Sequence, residues 1–310
     1  MSTPENHVPG PRPLFEEAFL RKLERIAILS NRAVTGQMQG ERRSPKRGQS
    51  VEFADFRPYT EGDDFRRIDW NAYARLERFF IKLFVEEEDL TVHLLVDASR
   101  SMDWGAPNKL EYALRTVGAL GYIALSGLDR VTVTALGKNG SGSNFAPRRG
   151  KQQAFALFSY LQALMPPAGG PAAGRSTPGL DNQLRYYAGV ATQPGPLLLL
   201  SDLMDEGWAE GLRALASRGF EISVLHILSP DEVKPELTGD LKLLDSETMS
   251  DIEITAEYDL IQRYRKSLAE WQEEVHRFCS ARRINYVPIE TSLPFDELLF
   301  AWLRRQGVLK

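Results

Sequence analysis

The sequence predicts an α/β fold: a doubly wound, mostly parallel sheet with helices on both faces. Three observations predict it. The runs TVHLLVD (91–97), PLLLLSD (196–202) and FEISVLHIL (220–228) are short apolar stretches, as expected of strands covered on both sides. Helical patterns separate them, and alternation of strand and helix implies right-handed crossovers. Two of the three runs end in an aspartate.

Each element follows from its local pattern. Phe15, Phe19, Leu23, Ile26 and Ala27 recur at helical spacing and predict an amphipathic helix over 14–33. A polar stretch with Arg42, Arg43, Lys46 and Arg47 then reads as an exposed loop. Strands are expected at 51–59, ending at Pro58, and at 79–85, before the acidic run Glu86–Asp89. After the first buried strand, Asn108 followed by Glu111 resembles a capping box, opening a helix that carries Leu110, Leu114, Val117 and Leu120. RVTVTAL (130–136) is the next strand. GKNGSGS reads as a turn and 151–165 as a helix. The Pro/Gly/Ala-rich 166–179 is a long loop.

Helices are expected near 180–190 and at 207–218, 257–282 and 294–306. A strand is expected at 284–289 and a hairpin within 240–255. In the longest helix, Ile261, Tyr264, Leu268, Trp271, Val275 and Phe278 form a stripe that suits packing on the sheet. The domain boundary is placed at 89/90, giving an N-terminal region 1–89 and an α/β domain 90–310.

With 310 residues, 43% of them hydrophobic and a net charge of −4, the chain has the balance of a globular protein with a sizeable core. That balance disfavours a general nucleic-acid binder. The basic residues 42–47 share their region with Glu61–Asp64 and Glu86–Asp89 and read as a solvated loop. One cysteine, Cys279, a polar N-terminus and no long apolar run make the expected location cytoplasmic.

The four histidines lack zinc-like spacing, and His93 and His226, inside apolar strands, read as satisfied core residues. GKNGSGS lacks the order of a phosphate loop, and no G-x-S-x-G elbow is present. Trp70, Phe56 and Phe65 read as core anchors of the segment Arg57 to Trp70.

The chemistry concentrates at the strand ends. Asp97, Ser99 and Ser101 alternate along one loop, and Asp202 closes a second strand. A parallel sheet would bring the two carboxylates together, where they repel and at least one pKa should rise. A hard divalent cation, Mg²⁺ or else Mn²⁺ or Ca²⁺, would remove that conflict. Asp205 reads as the cap of the following helix.

D-x-S-x-S, a loop threonine and a later strand-end Asp resemble the metal-ion-dependent adhesion site (MIDAS) of von Willebrand factor A domains. FADFRPYTEGDDFRRIDW, Ala74-Arg75, FIKLFVEEEDLTVHLLVDASRSM, Asp129-Arg130-Val131 and SDLMD are similar to the bacterial family called domain of unknown function 58. The resemblance implies a metal set of Asp97, Ser99, Ser101, Thr177 and Asp202. Thr177 is favoured over Ser176 because the loop carries an extra residue. It also implies a von Willebrand factor A-like fold with an N-terminal helix-plus-strand extension. The implied role is a non-enzymatic, metal-dependent adaptor working with a MoxR-type AAA+ ATPase, a client or partner protein supplying an acidic ligand. The alternatives are a metal-dependent hydrolase or phosphoryl-transfer enzyme, for which Asp97 resembles an aspartyl nucleophile only superficially because Ser99 breaks that motif, and a nucleic-acid or membrane-surface binder using residues 42–47.

Overall fold

The computed structural model describes residues 14–26, 28, 51–60, 63, 65, 68–86, 90–137, 144–165, 179–235, 239–244, 251–256 and 258–310. In chain order the elements are α1 (Glu17–Leu23), β1 (Val51–Pro58), α2 (Trp70–Leu76), β2 (Phe80–Glu86), β3 (Thr91–Asp97), α3 (Lys109–Ser126), β4 (Arg130–Leu136), β5 (Asn144–Arg149), α4 (Ala154–Leu164), α5 (Leu180–Val190), β6 (Pro196–Ser201), α6 (Trp208–Ser217), β7 (Glu221–Leu228), α7 (Pro230–Val233), β8 (Gly239–Leu244), β9 (Asp251–Ala256), α8 (Tyr258–Ser280) and β10 (Asn285–Glu290). A last helical stretch follows, with a π turn at Leu298–Trp302 between two short α turns.

The chain divides into two compact units, residues 30–89 and residues 1–29 with 90–310. The expected N-terminal region 1–89 is therefore split. Helix α1 belongs with the larger unit because Phe15, Leu23 and Ile26 are buried in its core. It is also shorter than the 14–33 that the periodicity suggests.

In the larger unit a six-stranded sheet has the order β10-β7-β6-β3-β4-β5. All neighbours are parallel except β4 and β5. Strand periodicity sorts the core into two layers. Val92, Leu94 and Val96 of β3, Leu198 and Leu200 of β6, and Leu225 and Ile227 of β7 face one cluster with α3, α4 and α1. Leu95, Leu197, Leu199, Ile222 and Val224 face the other, with α5, α6 and the C-terminal half of α8. The fold is thus the doubly wound α/β architecture expected. Trp271, Val275 and Phe278 of the α8 stripe join this second layer, while Tyr264 remains 40% exposed.

Both sheet edges carry proline: Pro147 beside Arg148 and Arg149 on β5, and Pro288 on β10. The Trp302 indole donates to the Pro288 carbonyl at 3.2 Å. Strand β5 and helices α2 and α7 went unforeseen. The hairpin expected in 240–255 exists as β8 and β9.

In the smaller unit β1 and β2 form an antiparallel pair. Asp69 caps α2 by accepting from the Asn71 and Ala72 amides. Asp63 accepts from Arg57 at 2.7 Å and from the Thr60 amide and hydroxyl. Trp70 and Phe65 are not the core anchors expected: they are 60% and 65% exposed. Helix α2 is only seven residues long and has no buried residue, so Trp70, Tyr73 and Phe79 pack on one another instead. The side chain of Phe56 and the whole of the 42–47 loop lie outside the described residues.

Candidate functional site

Strand order locates the site. From β3 the chain proceeds by α3 to β4 and then to the edge β5, but β6 returns to the opposite side of β3. The direction of winding reverses between β3 and β6. In open α/β sheets, ligands bind at the carboxyl ends of the strands at such a reversal. Asp97 ends β3 and Asp202 directly follows β6, so the two acidic residues flank this crevice.

Asp97 is 6% exposed. One of its carboxylate oxygens accepts from the Ser99 amide at 2.9 Å and the other from the Ser201 hydroxyl at 2.6 Å. The Ser201 oxygen in turn accepts from the Leu203 amide at 2.9 Å. Burial first, and the nearby Asp202 charge second, push the Asp97 carboxyl up to about 6. The direction is the one anticipated for two carboxylates at neighbouring strand ends, but burial, which the strand-end argument did not include, contributes more than their repulsion. The Ser99 and Ser101 hydroxyl oxygens lie 3.0 Å apart in the same loop. Gly137, at the end of β4 with φ +82°, backs this loop so closely that an added Cβ would sit 2.8 Å from the Ser99 nitrogen.

Asp202 is 1% exposed and has a different partner. Its Oδ2 accepts from Lys109 Nζ at 2.8 Å, while Oδ1 accepts from the Met204 amide at 3.2 Å. Lys109 is fully buried and also donates to Glu232 Oε1 at 2.5 Å. Glu232 is held in turn by a reciprocal capping box with Ser229, which orders the short helix α7. Lys109 is the first residue of α3, capped by Asn108. A cation there faces the positive end of the helix dipole, which is unfavourable. Its two carboxylate partners must offset both that effect and the loss of hydration.

The Asp202 carbonyl accepts from His226 Nε2 at 3.0 Å, which fixes the ring tautomer, so Nδ1 accepts from the Tyr286 hydroxyl at 2.7 Å. Burial lowers the His226 pKa to about 4, so the ring is neutral near pH 7. His93 is bonded to the Tyr187 hydroxyl at 2.6 Å. His226 is thus the satisfied core residue expected, whereas His93 is buried with its Nε2 left without a hydrogen-bond partner among the described residues, so the expectation holds only in part there. Asp205 accepts from Gly207, the cap residue of α6, and also from the Leu180 amide that opens α5.

The structure therefore gathers Asp97, Ser99, Ser101 and Asp202 at one end of the sheet. Thr177 and Ser176 lie outside the described residues. Among the described residues no three His, Cys, Asp or Glu side chains are arranged to hold a metal. A cation here would rely on hydroxyls. Asp97 is bonded by the Ser99 amide and side chain and by the Ser201 hydroxyl, and with the paired serine hydroxyls it makes a hard-oxygen corner of the chemistry that Mg²⁺ takes. Asp202 fits less well as a direct ligand because Lys109 occupies one of its oxygens.

Lys109 and Glu232 were not anticipated. The sequence signal for Lys109 was a single lysine at the first position of a mostly apolar helix. Glu232 offered only the Ser229-Pro230-Asp231-Glu232 capping pattern.

Comparison with known proteins gives relatives without an assigned activity. An uncharacterised protein of Mycobacterium bovis and two of Mycobacterium tuberculosis strains are each 26% identical over 298 residues, spanning 94% of this chain and 90% of the relative. The crystal structure of the conserved hypothetical protein BatB from Bacteroides thetaiotaomicron matches with a TM-score of 0.39 and 15% identity, over 70% of this chain and 98% of that one. The family described as protein of unknown function DUF58 matches residues 55–274, more than half of the 310, and the chain belongs to that family.

Proposed function

We propose that this chain is a non-enzymatic adaptor whose 97–101 corner holds a divalent cation, completed by an Asp or Glu of a partner protein. The observation that carries the reading is Asp97 at the winding reversal, its carboxyl raised to about 6 beside two hydroxyls 3.0 Å apart. A cation would offset the repulsion between Asp97 and Asp202. With one direct carboxylate, it would remain electron-poor enough to take another from outside.

The loops around the corner also offer apolar contact area. Trp104 and Met204, in the loops following β3 and β6, are 60% and 45% exposed. Exposed aromatic and methionine side chains near a polar site are typical of interface anchors. The similarity of the 97–101 loop to the adhesion-site motif supports the von Willebrand factor A reading. The family resemblance supports a MoxR-type AAA+ ATPase as partner.

The test is a pull-down of a purified MoxR-type AAA+ ATPase from the same organism by wild type and Asp97→Ala, with magnesium or with EDTA. Retention by wild type in magnesium only, lost in Asp97→Ala, is expected. Equal retention in all four arms would sink the proposal.

Lys109 favours a second reading, in which its ammonium supplies the positive charge and the crevice takes its partner without a metal. Retention that is insensitive to EDTA but lost in Asp97→Ala would select it.

A further inference from the structure

We infer that Lys109 is a specificity-determining residue for the 97–101 corner, setting how much negative charge that corner offers a cation and hence which cation it accepts. The inference rests on the metal-site reading above and deepens it.

Three buried or half-buried carboxylates, Asp97, Asp202 and Glu232, lie around the ends of β3 and β6. Lys109 bonds directly to two of them and leaves Asp97 with hydrogen bonds from Ser99 and Ser201. One oxygen of Asp202 is thereby engaged by an ammonium and the other by the Met204 amide. A cation beside Asp97 then has one carboxylate, Ser99 and Ser101 as direct neutral and charged donors, with water for the rest.

Mg²⁺ tolerates few protein ligands and keeps several waters, whereas Ca²⁺ takes six to eight oxygens and tightens with ligand charge. Lysine at position 109 therefore disfavours Ca²⁺ and keeps Mg²⁺ binding weak. Replacing it by methionine keeps the buried stem and frees Asp202.

The test is calorimetric titration of the full chain with MgCl₂, MnCl₂ and CaCl₂ alone. The variants are wild type, Lys109→Met, Lys109→Met/Glu232→Gln and Asp97→Ala. Melting curves in EDTA and far-UV circular dichroism monitor the fold. The double variant removes one surplus carboxylate with the lysine, so it carries the test if Lys109→Met unfolds without metal.

We expect the lysine variants to bind Mg²⁺ at least tenfold more tightly than wild type, with a larger gain for Ca²⁺, and Asp97→Ala to bind neither ion. If wild type takes up no cation while the lysine variants do, Lys109 keeps its role and the metal-dependent adaptor reading fails. If wild type binds as tightly as the lysine variants or more tightly, the inference about Lys109 is overturned and the metal reading survives. No uptake by any variant overturns both.

Discussion

Lys109 and Asp202 form an ion pair that water does not reach: Nζ and Oδ2 are 2.8 Å apart, and the side chains are 0% and 1% exposed. The pair ties the start of α3 to the end of β6, and Glu232 extends it to α7. Removing one partner of a buried pair leaves the other charge without compensation, at a cost of roughly 3–5 kcal/mol. Lys109→Met should lower stability in EDTA by about that amount in urea denaturation. Glu232→Gln should cost less, because Glu232 is 17% exposed and Lys109 keeps Asp202. Equal losses would refute this ranking.

Asp97→Asn removes the carboxylate that Asp202 opposes. Its stability in EDTA should match or exceed that of wild type. Magnesium should raise the melting temperature of wild type and leave that of Asp97→Asn unchanged. Scanning fluorimetry at matched magnesium concentrations checks both statements.

Gly137→Ala should disturb the loop through its backbone, without changing the side chain of any proposed ligand. A left-handed backbone costs a non-glycine residue about 1–2 kcal/mol. The new Cβ would also press on the Ser99 nitrogen at 2.8 Å and the Ala98 carbonyl carbon at 3.0 Å. With a further 1–3 kcal/mol or so for overpacking, a loss of about 2–5 kcal/mol is expected in chemical denaturation. The magnesium-dependent rise should shrink in parallel.

The sheet was legible because its signal is local. The runs ending at Asp97 and Asp202 announce strands buried on both faces, and Asn108 caps α3 by accepting from Glu111 at 3.0 Å, as its spacing suggests. Lys109, the next residue, was passed over because its partners lie 93 and 123 residues away, beyond any periodicity. Strand β5 was hidden by its composition, NFAPRR, whose proline and arginines argue against a central strand and suit an edge. Trp70 misled because aromatic character alone does not reveal whether a seven-residue helix has a core to enter.

His93 should make stability pH-dependent. Burial lowers its pKa to about 4, from 6.5 when exposed. Between those values the unfolded chain takes up a proton that the folded chain refuses, so this contribution is present above pH 6.5 and is lost as pH falls toward 4. From pH 7 to pH 5 the loss is on the order of 2 kcal/mol. His93→Gln should flatten the pH dependence by that amount in denaturation curves at the two pH values; an unchanged slope would contradict it.

Trp104→Ser should separate binding from folding. The side chain is 60% exposed, so stability should change by no more than about 0.5 kcal/mol. Retention of the AAA+ partner should fall at least tenfold in the pull-down. Retention equal to wild type would remove Trp104 from the proposed interface.

The prolines at the two outer strands have a consequence for assembly. A strand lacking an amide hydrogen at Pro147 or Pro288 is a poor template for another chain's backbone, and the neighbouring Arg148 and Arg149 add like-charge repulsion between copies. Lateral polymerisation, by joining one six-stranded layer to the next, is blocked at both rims. Copies that do meet through this layer would do so by helices or strand-end turns, where side chains rather than main-chain ladders choose the neighbour; the pairs β1/β2 and β8/β9 are outside this constraint.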